Sequence, residues 1–287
     1  MSHLRLLFVV AVAMAISSAS LCYSQSQATC TFNLFKAPGQ VNGVNDFRTT
    51  VGQNASNIHQ GFIRFSSGGV SYFTAPNAAA TSFTSRNDSG VNVGFYSTQG
   101  STSNIAKGFI LQGSTFTSFV HPKAVWGTSI MGINKYNSTV GWYLDSAEKE
   151  HGFKRFSNGG LAALDYPGSQ GTDPAGINDY GTVAGSFSNT SGEHGFIFHS
   201  GSWAQVDYPG SNGQTQLVGI SNASLVVGFS TLQEPYVSFL YANGVFKVIS
   251  VPNSFSTNVT GVSANGVISG NVVYNSGASG AFTATCK

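Results

Sequence analysis

Two histidines in a shared setting, His151-Gly152-Phe153 and His194-Gly195-Phe196, and two aspartates in another, Asp165 and Asp207 of Asp-Tyr-Pro-Gly, come nearest to chemistry by type and spacing. As metal ligands the histidines would need third and fourth partners. The corresponding positions elsewhere hold Gln60, Lys107, Val237 and Gly280, so a structural role beside a loop is the stronger reading. The two aspartates suit the acid and base, or nucleophile, of an enzyme that cleaves glycosidic bonds. Lying one repeat apart near a rim, however, they would be too distant to share one bond. A Ser-His-Asp triad can be picked from so many serines only by free choice, and no Gly-x-Ser-x-Gly elbow is framed by a strand and a helix. No Gly-rich phosphate loop precedes a helical pattern. Asp46, Asp88 and Asp179 share a turn position, where Asp is expected to cap its own backbone rather than hold calcium. No catalytic residue, metal or cofactor is assigned on these grounds.

The elements that must position these residues are read from an internal repeat. A ten-residue unit, clearest at Gly176-Ile177-Asn178-Asp179-Tyr180-Gly181-Thr182-Val183-Ala184-Gly185, recurs six times and closes on Gly52, Gly94, Gly141, Gly185, Gly228 and Gly270. A small residue followed by Phe (Phe62, Phe109, Phe153, Phe196, Phe239, Phe282) is the second marker, and a proline (Pro38, Pro76, Pro122, Pro167, Pro209, Pro252) the third. Each repeat reads as four strands, here a to d, with Asn-Asp-x-Gly and Asn-Gly turns that tolerate positive φ and a proline where the last strand must stop. Four antiparallel strands in each repeat of about 43 residues predict a six-bladed β-propeller, with the six Phe packed between blades.

The ends of the chain carry the closure. The sixth repeat stops after its third strand at Cys286, while Cys30 to Pro38 opens the exported chain as a fourth strand without a blade. Transferred to the fourth repeat, the offsets of Cys286 and Cys30 fall on Ser200 and Gly201, adjacent at a hairpin. A Cys30–Cys286 disulfide is therefore expected to replace the hairpin that the permutation removed, in an oxidising compartment.

The His-Gly-Phe, Gly-Ile-Asn-Asp and Asp-Tyr-Pro-Gly segments resemble the repeats of the HAF family of probable extracellular repeat proteins. The likeness spans the exported chain and is most specific in repeats three and four. It implies an exported bacterial protein with a propeller-like fold, and no catalytic residue can be carried over from it.

Composition agrees with export. Arg5, the apolar run Leu6 to Ile16 and a small, polar stretch have the layout of a signal peptide, assigned to residues 1–24 with cleavage between 20 and 28. Residues 25–287 are read as one domain, secreted or periplasmic, with no membrane insertion after signal removal and as a monomer. Charged residues make up only 8%, which excludes the clustered Lys and Arg that nucleic acid demands. The six Asn-x-Ser/Thr sequons would matter only in a eukaryotic secretory route.

Between markers, the b to c and d to a connections vary in length, and both emerge at one end of a propeller. Trp142, Tyr143, Asp145, Asp165, Tyr166, Glu193, Asp207 and Tyr208 fall in or beside them and form the candidate binding face. The expected function is a non-catalytic binding module for a glycan or another extracellular protein. The alternative is a carbohydrate-active propeller enzyme, hydrolase or lyase, working at that same face.

Overall fold

The computed structural model describes residues 26–98 and 105–287; the expected signal segment lies outside the described residues. The described chain is all β, in six four-stranded antiparallel sheets. Blade I is β2 (Gly39–Val44), β3 (Thr50–Asn54), β4 (Gly61–Arg64) and β5 (Val70–Phe73), in that order. Blades II to V repeat the meander over residues 78–119, 127–163, 171–205 and 215–248. Blade VI is β22 (Ser254–Val262), β23 (Ile268–Tyr274) and β24 (Ser279–Cys286), completed on its outer edge by β1 (Cys30–Phe35). This is the six-bladed propeller that the repeat predicts, closed by its first strand.

Each sequence marker has a steric cause. In every blade the innermost strand carries a bulge, for example between Val41 and Gly43 or Ile130 and Gly132. The bulge pushes a carbonyl toward the second strand, against the closing glycine. A Cβ at Gly52 would lie 1.8 Å from the Gln40 oxygen, and one at Gly141 2.0 Å from the Ser129 oxygen. The small residue before each Phe is a seat for the next blade: a Cβ at Gly61 would strike the Phe83 ring, at Gly108 Ile130, at Gly152 Pro174 and at Gly195 Leu217. In blade V the seat is Ser238, whose hydroxyl donates to the Thr257 oxygen and accepts the Val259 N–H. The six Phe themselves are fully buried and belong to six separate clusters between blades.

The Gly-Ile-Asn-Asp turn joins blades to one another. The Asn45, Asn134 and Asn178 side-chain oxygens each accept backbone N–H groups two and four residues on, so it is Asn that caps its own turn. Their amides donate onward to the same turn of the next blade: Asn87 to the Asn134 oxygen at 3.1 Å, Asn134 to that of Asn178 at 3.1 Å, Asn178 to that of Ser221 at 3.0 Å. The aspartates do not cap their own backbone as expected. Asp88 accepts the N–H of Asp46, Asp179 that of Lys135, and Asp46 that of Asn265, each across a blade boundary. The geometric reason is that Asn already occupies the local N–H groups, leaving the next residue to face the neighbouring turn. With Asn222 N–H to the Ala264 oxygen, the bonds run around the whole ring.

The seam closes as the cysteines predict. Cys30 and Cys286 are directly opposite in the β1–β24 ladder and are joined by a disulfide. Phe32 packs edge-on against Phe282 at 5.4 Å between ring centres. Ahead of β1, Ser26 and Ala28 bond to both backbone groups of Val248, on the outer edge of blade V.

Candidate functional site

At the variable-loop end, blades III and IV each tie a histidine to an aspartate at the close of the outermost strand. Asp165 accepts the Gly152 N–H with one oxygen and contacts His151 Nδ1 at 3.0 Å with the other. Asp207 does the same for Gly195 N–H and His194 Nδ1, at 3.2 and 2.9 Å. The paired motifs of the sequence are thus one clasp between the third and fourth strands, used twice.

The fourth contact differs between blades. His151 Nε2 faces Asp145 at 3.2 Å, so this imidazole lies between two carboxylates. Its ring stacks on Tyr143, which stacks in turn on His121 at 3.9 Å. The Lys149 and Ala147 N–H groups, with His151, hold the Asp145 carboxyl below the ordinary aspartate range. Burial, then Lys123 and His151, pull His121 down. His194 Nε2 instead faces Ser191 Oγ at 2.9 Å, which completes a Ser191–His194–Asp207 line that the sequence offered only as one choice among many. That serine also bonds the Asn189 side chain at 2.6 Å. Two nearby N–H groups are taken: Ser191 N–H by Asn189 and Glu193 N–H by the Gly213 oxygen. An acyl-transfer site needs such donors free for the developing oxyanion.

The other expected binding residues divide by environment. Tyr166 stacks on Phe187 at 3.6 Å, Tyr208 on Phe239 at 5.0 Å, and Tyr143 is buried, so these rings hold blades together. Trp142 and Glu193 are half-buried, and Asp165 is exposed. Glu193 accepts from Ser186 and, at 2.7 Å, from Gln216. Strongly exposed aromatics also lie at the opposite end: Phe47, Tyr136 and Tyr180, all in the turns between the first and second strands, with Tyr180 72% accessible. The residue after Asn-Asp or Asn-Lys is the sequence signal that marks them.

A cavity of about 440 Å³ runs along the axis. Near its variable-loop end the innermost strands present a polar row of Gln40, Ser82, Ser129, Asp173, Gln216 and Asn258, one residue per blade at matching register. Of these, all but Ser129 line the cavity, together with Phe95 and Phe229. Asp173 and Asn258 each keep one side-chain oxygen covered and without a hydrogen-bond partner. Burial, then the fields of Glu150 and Glu193, raise the Asp173 pKa to about 8.

No family model and no curated protein sequence matches this chain. Solved structures do. A streptogramin B lyase matches with TM-score 0.52 and 13% identity, covering 90% of this chain and 98% of that one. The Aleuria aurantia lectin, in complex with Fucα1-6GlcNAc, matches with TM-score 0.52 and 11% identity over 90% and 91%. TolB from Acinetobacter baumannii matches with TM-score 0.51 and 10% identity over 84% and 65%. At such identities the likeness is one of fold: the chain is similar to propellers that include a lyase, a lectin and TolB.

Proposed function

We propose that this chain is an exported, non-catalytic binding module of the HAF kind, taking a glycan or another extracellular protein at its variable-loop end. The observation that carries the reading is the Asp145–His151–Asp165 group, an imidazole between two accessible carboxylates on a rigid blade edge. Such a group offers carboxylate acceptors to sugar hydroxyls or to peptide N–H groups, held in place by the imidazole between them. The disulfide is compatible with an oxidising compartment. Among the described residues, no helix is long and apolar enough to cross a membrane. Binding by purified protein to a glycan array and to extracellular proteins tests the reading. His151→Ala with Asp165→Ala should lose the captured ligand, while Tyr136→Ala with Tyr180→Ala at the opposite end should keep it. The reverse pattern moves the site to the other face.

A second reading, a hydrolase, has one observation in its favour, the Ser191–His194–Asp207 line. The engagement of the Ser191 and Glu193 N–H groups ranks it below the first. Covalent labelling of Ser191 by a fluorophosphonate, lost in His194→Ala, would reverse that ranking.

A further inference from the structure

We infer that the variable-loop end of the axial cavity is a binding site for a small organic ammonium ion, separate from the rim site proposed above. Three observations converge there. The cavity, about 440 Å³, lies within the size range of ligand pockets, roughly 300–1,000 Å³. Its wall holds the half-buried Asp173, whose Oδ1 is covered by protein and has no hydrogen-bond partner among the described residues. Behind that wall stand two more carboxylates. Glu193 is bonded to the channel-lining Ser186 and Gln216, and Glu150 lies against Gly171 at the start of the Asp173 strand. None of the three forms an ion pair; the only ion pair of a lysine or arginine among the described residues is Lys135–Asp179, at the opposite end of the channel. Arg86, also at that end, is engaged by Asn92 and the Gly90 oxygen.

A buried carboxyl without a counter-charge is costly, and a cation from solvent removes that cost. The remaining wall says which cation. No three acidic or histidine side chains among the described residues are grouped to close on one metal ion, so a bare ion would be under-coordinated. Phe95 and Phe229 come instead from blades II and V, which are opposite in a six-fold ring, and both line the cavity. Aromatic faces favour an alkylammonium group, whose charge is spread and whose carbons are apolar. Asn258, with its own unpartnered oxygen, and Gln40 supply acceptors for N–H groups.

Because burial, and then Glu150 and Glu193, the groups that face it, hold Asp173 largely protonated at neutral pH, cation binding displaces its proton. Affinity should therefore rise with pH toward 8 and then level off.

Titration calorimetry with putrescine as the probe, at pH 7 in two buffers of different ionisation enthalpy, tests the site. The expected result is one-to-one binding, with proton release, at least about tenfold tighter than for 1,4-butanediol. Asp173→Asn should fold, because it is isosteric and uncharged, and should lose about tenfold or more in putrescine affinity. Phe95→Leu with Phe229→Leu should weaken putrescine and leave Ca²⁺ unaffected. Equal binding of the diol, unchanged putrescine affinity in Asp173→Asn, or Ca²⁺ competing at equal concentration would each overturn the inference. A melting curve and a circular dichroism spectrum of each variant separate loss of the site from loss of the fold. Because the rim residues are untouched in these variants, any glycan or protein captured by His151 and Asp165 should still bind.

Discussion

Asp173 is a carboxyl group placed where ionisation is most expensive, and the expense depends on pH. Its folded pKa, about 8, lies above that of an unfolded aspartate, 3.8, because burial and then Glu150 and Glu193 disfavour the charge. A raised folded pKa stabilises fully below the unfolded value and is lost as pH climbs through the folded one. Stability of the native protein should fall between about pH 4 and pH 8, by an upper figure of several kcal/mol from this group. Asp173→Asn should flatten that slope and melt higher at pH 8; denaturant titrations at pH 5 and pH 8 measure both. At the same scale, Gly141 faces the Ser129 carbonyl so closely that no side chain fits without moving the bulge. Gly141→Ala should cost about 3 kcal/mol or more, read as a shift in the denaturation midpoint. The sequence made this glycine legible as a marker and hid its reason, since the carbonyl belongs to the partner strand.

The blade is the element in which sequence and packing meet most directly. Six Phe at one repeat position announced a shared environment, and all six are fully buried. Phe196, beneath Trp203 and Tyr166, should cost about 3 to 5 kcal/mol when replaced by Ala, visible in a thermal melt. The Asn ring was half legible. Asn178 marks a turn in any reading, but the acceptor of its amide is a backbone oxygen 43 residues away in the next blade. Asn134→Ala would strand the Tyr136 and Ser138 N–H groups together and take one of two donors from the Asn178 oxygen. A loss of about 2 to 3 kcal/mol is expected in equilibrium unfolding, larger than for one exposed turn. The proximity of the expected binding residues to the variable loops was legible, their environments less so. Tyr166 and Tyr208 occur beside variable loops, yet their flat stacks on Phe187 and Phe239 are set by the second strand of blade IV and the third of blade V, which no local spacing reveals.

For the whole molecule, closure rests on one seam, and that seam was legible because a missing strand at one end and a spare strand at the other share a repeat phase. The Cys30–Cys286 bridge spans 256 residues, for which the chain-entropy model gives a stabilisation of about 5 kcal/mol as an upper figure. Reduction, or Cys30→Ser, should lower the melting temperature and make residues 26–35 the first site of proteolysis, checked by mass spectrometry of early fragments. Native protein should titrate without free thiols at Cys30 and Cys286 when denatured and unreduced. The same seam has a consequence in time. A ribosome makes β1 before it makes β24, the strand to which β1 pairs, so β1 must wait while every other blade is synthesised. The ring is therefore completed only once β24 is made, and until then the chain carries an unpaired edge that a chaperone, or a second copy, can occupy.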